Sequence, residues 1–144
     1  AERKKLSDAI CTGLQLANFW QDVRGDYTER GRIYIPEEDM RRFGVSEKHI
    51  AESRADEAWG ALMHYETDRA ARLFDEGDAL VGMVAPRLAN ELRLFIRGGR
   101  AVLDGLRKIR YDVFRSRPTV PAWKKVFWMA ELGLRSLVPA GGRA

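Results

Sequence analysis

The chain has 144 residues, 45% of them hydrophobic, with Lys+Arg 25 against Asp+Glu 21, which suffices for one packed domain and excludes disorder over most of its length. A net charge of +4 and a pI near 9.5 suit an acidic partner: phosphate, nucleic acid or an anionic membrane surface. A single cysteine, Cys11, excludes an internal disulfide and a thiolate-rich zinc site, so the reducing cytoplasm is the expected compartment.

The sequence opens directly into "LSDAICTGLQLANFWQDV", an apolar pattern at helical spacing, predicting a first helix from about Leu6 to Val23 or slightly beyond. On a wheel of about 100° per residue, Asp8, Cys11, Gln15, Asn18, Asp22 and Asp26 share an arc of roughly 80°. Leu6, Ala9, Ile10, Leu14, Leu16, Ala17, Trp20 and Val23 fill most of the rest. A helix apolar nearly all round is expected to be buried, and its thin polar stripe then needs a cavity holding water, a cation or a polar ligand. Cys11, although on that arc, is expected to be a small buried apolar residue.

After Gly25, "RGDYTERGRIYIPEEDM" reads as a loop punctuated by Gly31 and Pro36, with Arg24, Arg30 and Arg32 placing positive charge beside the carboxylates. Pro36 followed by Glu37, Glu38 and Asp39 predicts a short helix ended by Gly44, and Ser46 can cap the next one. Apolar spacing predicts a long helix from about Asp56 to Phe74, closed by Gly77, and another from Pro86 to about Ile109, interrupted by Gly98 and Gly99. Pro118 and Pro121 break the chain before a last helix from about Ala122 to Leu137. Trp59, Tyr65, Phe74 and Phe95 are expected in the core, with a substrate wall as the alternative; His49 and His64 are assigned to the surface or to helix packing. With no β-alternation and no repeat, the class is all-α, a helical bundle.

Three oxygen-bearing side chains at steps of four, Asn18, Asp22 and Asp26, with Gln15 one turn earlier, suit a hard cation such as Mg²⁺, which keeps waters and shares substrate phosphates. A diphosphate is the natural third party, and Arg30 and Arg32 could clamp its remaining oxygens. The alternative on spacing alone is a solvated helix edge.

"LQLANFWQDVRGDYTERGRIYIP" resembles the second aspartate-rich helix of the squalene and phytoene synthase family, the head-to-head isoprenoid synthases, with the Gly-Arg-x-Tyr-x-Pro loop that follows it. "ELRLFIRGGRAVLDGLRKIRYDVFRSRPTVPAWKK" resembles the same family's late helices and its Tyr-Asp-Val with a basic, proline-containing turn. Gln21 stands where the commoner phytoene-type pattern has arginine; with "LFIRGG" and "RYDVFRSRPT" it resembles the bacterial hopanoid-pathway squalene synthase branch, HpnC.

The resemblance implies an isoprenoid synthase fold, Mg²⁺ as cofactor, and a prenyl diphosphate substrate, presqualene diphosphate converted to hydroxysqualene or squalene. Phytoene- or dehydrosqualene-type condensation and a noncatalytic scaffold of the same fold are the alternatives. Carried over by position, Asn18, Asp22 and Asp26 are metal ligands, Asp22 and Asp26 catalytic, and Gln15, Arg32 and Tyr34 line the substrate site. Arg30 joins them from the charge argument alone. The family's first aspartate-rich motif is expected to precede residue 1, making residues 1–144 the C-terminal part of one synthase domain, inactive alone.

Nucleic acid is not expected as a partner, because the arginines are scattered and form no stripe. With no run of 18 apolar residues, membrane contact is expected only peripherally, at the inner membrane. The basic aromatic end around Trp123, Lys124, Lys125, Phe127 and Trp128 is expected to pack on the bundle. Other enzymes of the pathway are further candidate partners.

Overall fold

The structure, a computed structural model, describes residues 1–120. The helix expected after Ala122, with its aromatic and basic residues, lies outside the described residues. Five α-helices follow one another: α1 (Glu2–Arg30), α2 (Glu37–Arg42), α3 (Glu47–Ala51), α4 (Glu57–Gly77) and α5 (Pro86–Lys108). A 3-10 segment, Asp78–Met83, joins α4 to α5, and no strand occurs among the described residues.

Helix α1 overruns its predicted ends, continuing past Gly25 to Arg30. It stops at Gly31, whose φ of 61° lies in the left-handed region. There the Gly31 N–H donates to the Tyr27 carbonyl at 3.0 Å and the Arg32 N–H to the Asp26 carbonyl at 3.1 Å. This closure satisfies carbonyls that the last turn would otherwise leave unpaired. Asp26 is therefore helical, and the loop begins one turn later than its composition suggests.

Ser46 and His49 form the capping box of α3, with the Ser46 N–H donating to His49 Nδ1 at 3.1 Å. Asp56 caps α4 by accepting from the Trp59 N–H at 3.0 Å. Pro86 opens α5, where its missing N–H costs nothing. His49 is buried in this packing role; His64 is exposed and hydrogen-bonded to the Tyr111 hydroxyl at 2.9 Å.

The core sits where α1, α4 and α5 meet. Trp20, Trp59, Leu62, Met63, Phe74, Leu103 and Leu106 are fully buried there. The Trp20 indole donates to the Glu66 carbonyl at 3.2 Å, and the Trp59 indole to the Tyr111 carbonyl at 2.9 Å, which anchors the chain leaving α5. The Phe74 ring lies in a notch between helices: a Cβ on Gly99 would come within 2.2 Å of it, and one on Gly13 within 3.0 Å.

Gly77 ends α4 as expected, whereas Gly98 and Gly99 do not interrupt the helix that follows; close approach is a further use of two of these glycines. Gly99 sits inside an unbroken α5, and Gly77 lets α1 approach α4, since a Cβ there would meet Ile10 at 2.4 Å. The chain then runs on into the 3-10 segment without a reversal. Phe95 departs from its expected core place, at 53% exposed, and Cys11 is exposed as well. Both lie on helix faces that no described element covers.

One core feature runs against the apolar pattern. Glu66 on α4 is wholly buried, and neither carboxyl oxygen has a hydrogen-bond partner. Arg69 approaches it at 3.7 Å and Asp39 of α2 at 3.6 Å, bridging the two carboxyls. Burial pushes the Glu66 carboxyl up to about 7; the neighbouring Asp39 adds to this and Arg69 opposes it.

Candidate active site

Helix α1 places the candidate residues by its period. Its other faces are taken by α4 and α5, so the polar arc is the open side of the helix. Gln15 and Asn18 are exposed, Asp22 is partly covered, and Asp26 is buried at 5% exposure. Among the described residues this arc is an open face, one wall of the cavity expected from the sequence. The physical reason is that α4 and α5 cover only the apolar side.

Beside this face runs a cleft of about 580 Å³ between α1 and α5. Leu14, Ala17, Leu94, Phe95, Gly98, Gly99 and Val102 give it apolar walls, and Asn18 and Gln21 bring amides to its edge. The exposed Phe95 is a wall of this cleft, which explains an aromatic left out of the core. A second, polar cleft of about 500 Å³ lies over the end of α1, lined by Asp22, Arg24, Thr28, Glu29 and residues 113–117.

Each carboxylate holds an arginine. Arg30 donates to Asp26 Oδ1 one turn back on α1, as the i,i+4 spacing allows. Arg117 grips Asp22 with Nε on Oδ1 and with Nη2 on Oδ2 at 2.8 Å. The loop residues expected at the site interact with each other and with α1. Arg32 Nη1 donates to the Tyr34 hydroxyl at 3.3 Å, and the Tyr34 ring stacks flat on Phe19 with centroids 4.0 Å apart. Hence Arg30 is engaged with Asp26, while Arg32 and Tyr34 are tied to α1 through Phe19.

Residues 113–120 were missing from the sequence-based site, although their basic, proline-containing turn had been singled out. Gln21 donates to the Pro118 carbonyl, Arg24 to the Phe114 carbonyl, and Asp22 accepts from Arg117, so three side chains of one helical turn bind this segment across α1. Gln21, met in the sequence only as a departure from a motif, is buried by that contact.

The donor chemistry fits a hard cation in part. Asn18, Asp22 and Asp26 offer only oxygens on one helix arc, the preference of Mg²⁺. Among the described residues no group of three His, Cys, Asp or Glu side chains is gathered closely enough to hold a metal. The arc therefore fits as one side of a site whose other oxygens come from water, substrate or further protein.

The chain is similar to known proteins in both sequence and fold. The family model described as Squalene/phytoene synthase matches residues 1–124. The 15-cis-phytoene synthase of Synechococcus elongatus is 32% identical over 133 residues, 91% of this chain and 43% of that protein. Squalene synthase HpnC from Alicyclobacillus acidocaldarius superposes with a TM-score of 0.75 at 44% identity, covering 77% of this chain and 42% of that one. A dehydrosqualene synthase crystallised with a ligand gives a TM-score of 0.75 at 31% identity, over 92% of this chain and 46% of that one. The chain spans less than half the length of each of these relatives. It carries part of the all-helical isoprenoid synthase fold, and it belongs to the squalene/phytoene synthase family.

Proposed function

We propose that residues 1–144 are the C-terminal part of a single isoprenoid synthase domain acting on a prenyl diphosphate, with presqualene diphosphate the favoured substrate and hydroxysqualene or squalene the product. The observation that carries this reading is the Asn18, Asp22 and Asp26 arc opening beside an apolar cleft of about 580 Å³. Oxygen donors at the edge of an apolar channel suit a molecule with an anionic head and a long hydrocarbon tail.

In this reading Asn18, Asp22 and Asp26 hold Mg²⁺, with Asp22 and Asp26 as its charged ligands. Bound there, Mg²⁺ supplies charge neutralisation for a departing diphosphate. The chain's own residues do the rest. Leu14, Leu94, Phe95 and Val102 hold the prenyl chain and limit access of water to the cationic carbon left behind. Gln15 and Gln21 offer amides at the edge where the head group would lie, Arg32 supplies a cationic donor for phosphate oxygens, and Arg30 joins it on leaving Asp26 to the cation. Tyr34, stacked on Phe19, braces the loop that carries Arg32. The reaction requires no covalent nucleophile, and the site proposed here has none.

The similarity to HpnC favours the presqualene branch; the similarity to phytoene synthases favours condensation of two prenyl diphosphates as the second reading. The test fuses the chain to the preceding half of a family member and supplies presqualene, farnesyl or geranylgeranyl diphosphate with Mg²⁺. Release of diphosphate with a C30 alcohol or hydrocarbon from presqualene diphosphate, abolished by Asp22→Ala, is the expected result. A C40 product selects the second reading. A folded fusion that turns over none of the three sinks the enzyme reading in favour of a noncatalytic scaffold.

A further inference from the structure

Asp22 does not stand free. Arg117, 95 residues away in sequence, holds both of its oxygens in a fork-to-carboxylate pair. The pair is open to solvent, with side-chain exposures of 55% for Arg117 and 36% for Asp22, so an incoming ion can reach it without opening the core. Nor does the backbone of 113–120 depend on this pair. Gln21 to the Pro118 carbonyl and Arg24 to the Phe114 carbonyl are separate ties, and Pro118 fills space left by Gly105, where a Cβ would meet it at 2.8 Å.

A guanidinium and a divalent cation on the same carboxylate repel each other at close range, so they cannot share Asp22 cheaply. We propose that Arg117 is a displaceable counter-ion: it occupies Asp22 before metal arrives, competes with a divalent cation for that carboxylate, and on loading is released while two ties keep its segment over α1. The inference rests on Asp22 being a metal ligand, as read under Proposed function. It gives the segment after α5 a positioning role at the site, because Arg117 and Gln21 border both clefts and the freed guanidinium stays at the wall between them.

The test measures Mn²⁺ binding to the fusion protein used under Proposed function by electron paramagnetic resonance at low salt, for wild type, Arg117→Gln, Asp22→Asn and the double variant. Circular dichroism checks that each is helical. Removing the competitor is expected to tighten Mn²⁺ binding about two- to fivefold in Arg117→Gln, the scale of one exposed ion pair. The double variant should lose that gain, and Arg117→Lys should fall between. The Arg117 Nε–H gives a second readout: Mg²⁺ should speed its exchange with solvent, followed by nuclear magnetic resonance, in wild type and leave it unchanged in Asp22→Asn, where the carboxylate pair is gone. A purely structural tie would show neither tighter metal binding nor metal-driven exchange. Arg117→Gln binding no tighter than wild type, with Asp22→Asn weaker than both, overturns the counter-ion inference and leaves the metal reading standing. Binding that ignores Asp22 in all four proteins, or is absent from all four, overturns both.

Discussion

Replacing Glu66 by glutamine should remove a pH dependence that the fold itself creates. In wild type the buried carboxyl is pushed from about 4.5 up to about 7, so the native state binds the proton more tightly than the unfolded chain does. Between those values the folded protein carries more protons, and stability must fall as pH rises. The contribution is fully present below about pH 4.5 and lost once pH passes about 7. A difference of about 2.5 pH units at 1.36 kcal/mol each gives about 3 kcal/mol. In a chain of this size that corresponds to roughly 10 °C in Tm.

Glu66→Gln keeps the shape and stays neutral at every pH. Urea unfolding followed by helical circular dichroism, run from pH 5 to pH 8.5, is the assay. Wild type and variant should agree within about 1 kcal/mol near pH 5 and diverge to about 3 kcal/mol in favour of the variant above pH 7.5. Parallel curves across the range would refute the argument and mean that Arg69 keeps Glu66 ionised at 3.7 Å despite its burial.

Two further substitutions test the packing. Gly99→Ala puts a methyl within 2.2 Å of the Phe74 ring and should cost about 1–3 kcal/mol in urea unfolding, as overpacking does; adding Phe74→Leu should recover part of that loss, whereas simple additivity would refute the notch. Ser53→Gly relieves an exposed non-glycine residue held at a φ of 53° after α3 and should stabilise the chain by about 1 kcal/mol, seen as a rise in Tm; a fall would refute the strain argument.

Much of the bundle was legible because it depends on local order in the chain. Apolar residues at steps of three and four identified α1, α4 and α5, while Pro36, Ser46, Asp56 and Pro86 marked starts through chemistry that operates within a few residues. The same periodicity placed Asn18, Asp22 and Asp26 on one arc, since a helix fixes the direction of its own side chains. The family resemblance, carried by "NFWQDVRGDYTERGRIYIP", follows from that local pattern too.

What covers an arc is a question about distant residues, and local pattern cannot answer it. Only the tertiary structure decided that α4 and α5 pack on the apolar side of α1, that Phe95 lines a cleft, and that Cys11 is exposed among the described residues. Gly99 reads as a breaker because glycine weakens an isolated helix; its use here is close approach between helices, which exists only after packing. Residues Gln21, Asp22 and Arg24 meet 114–118 across 90 positions or more, and no periodicity records such a pairing. The sequence by itself determined the helices, the direction of the acid-and-amide stripe and the family; folding decided which of those acids are paired, and by what.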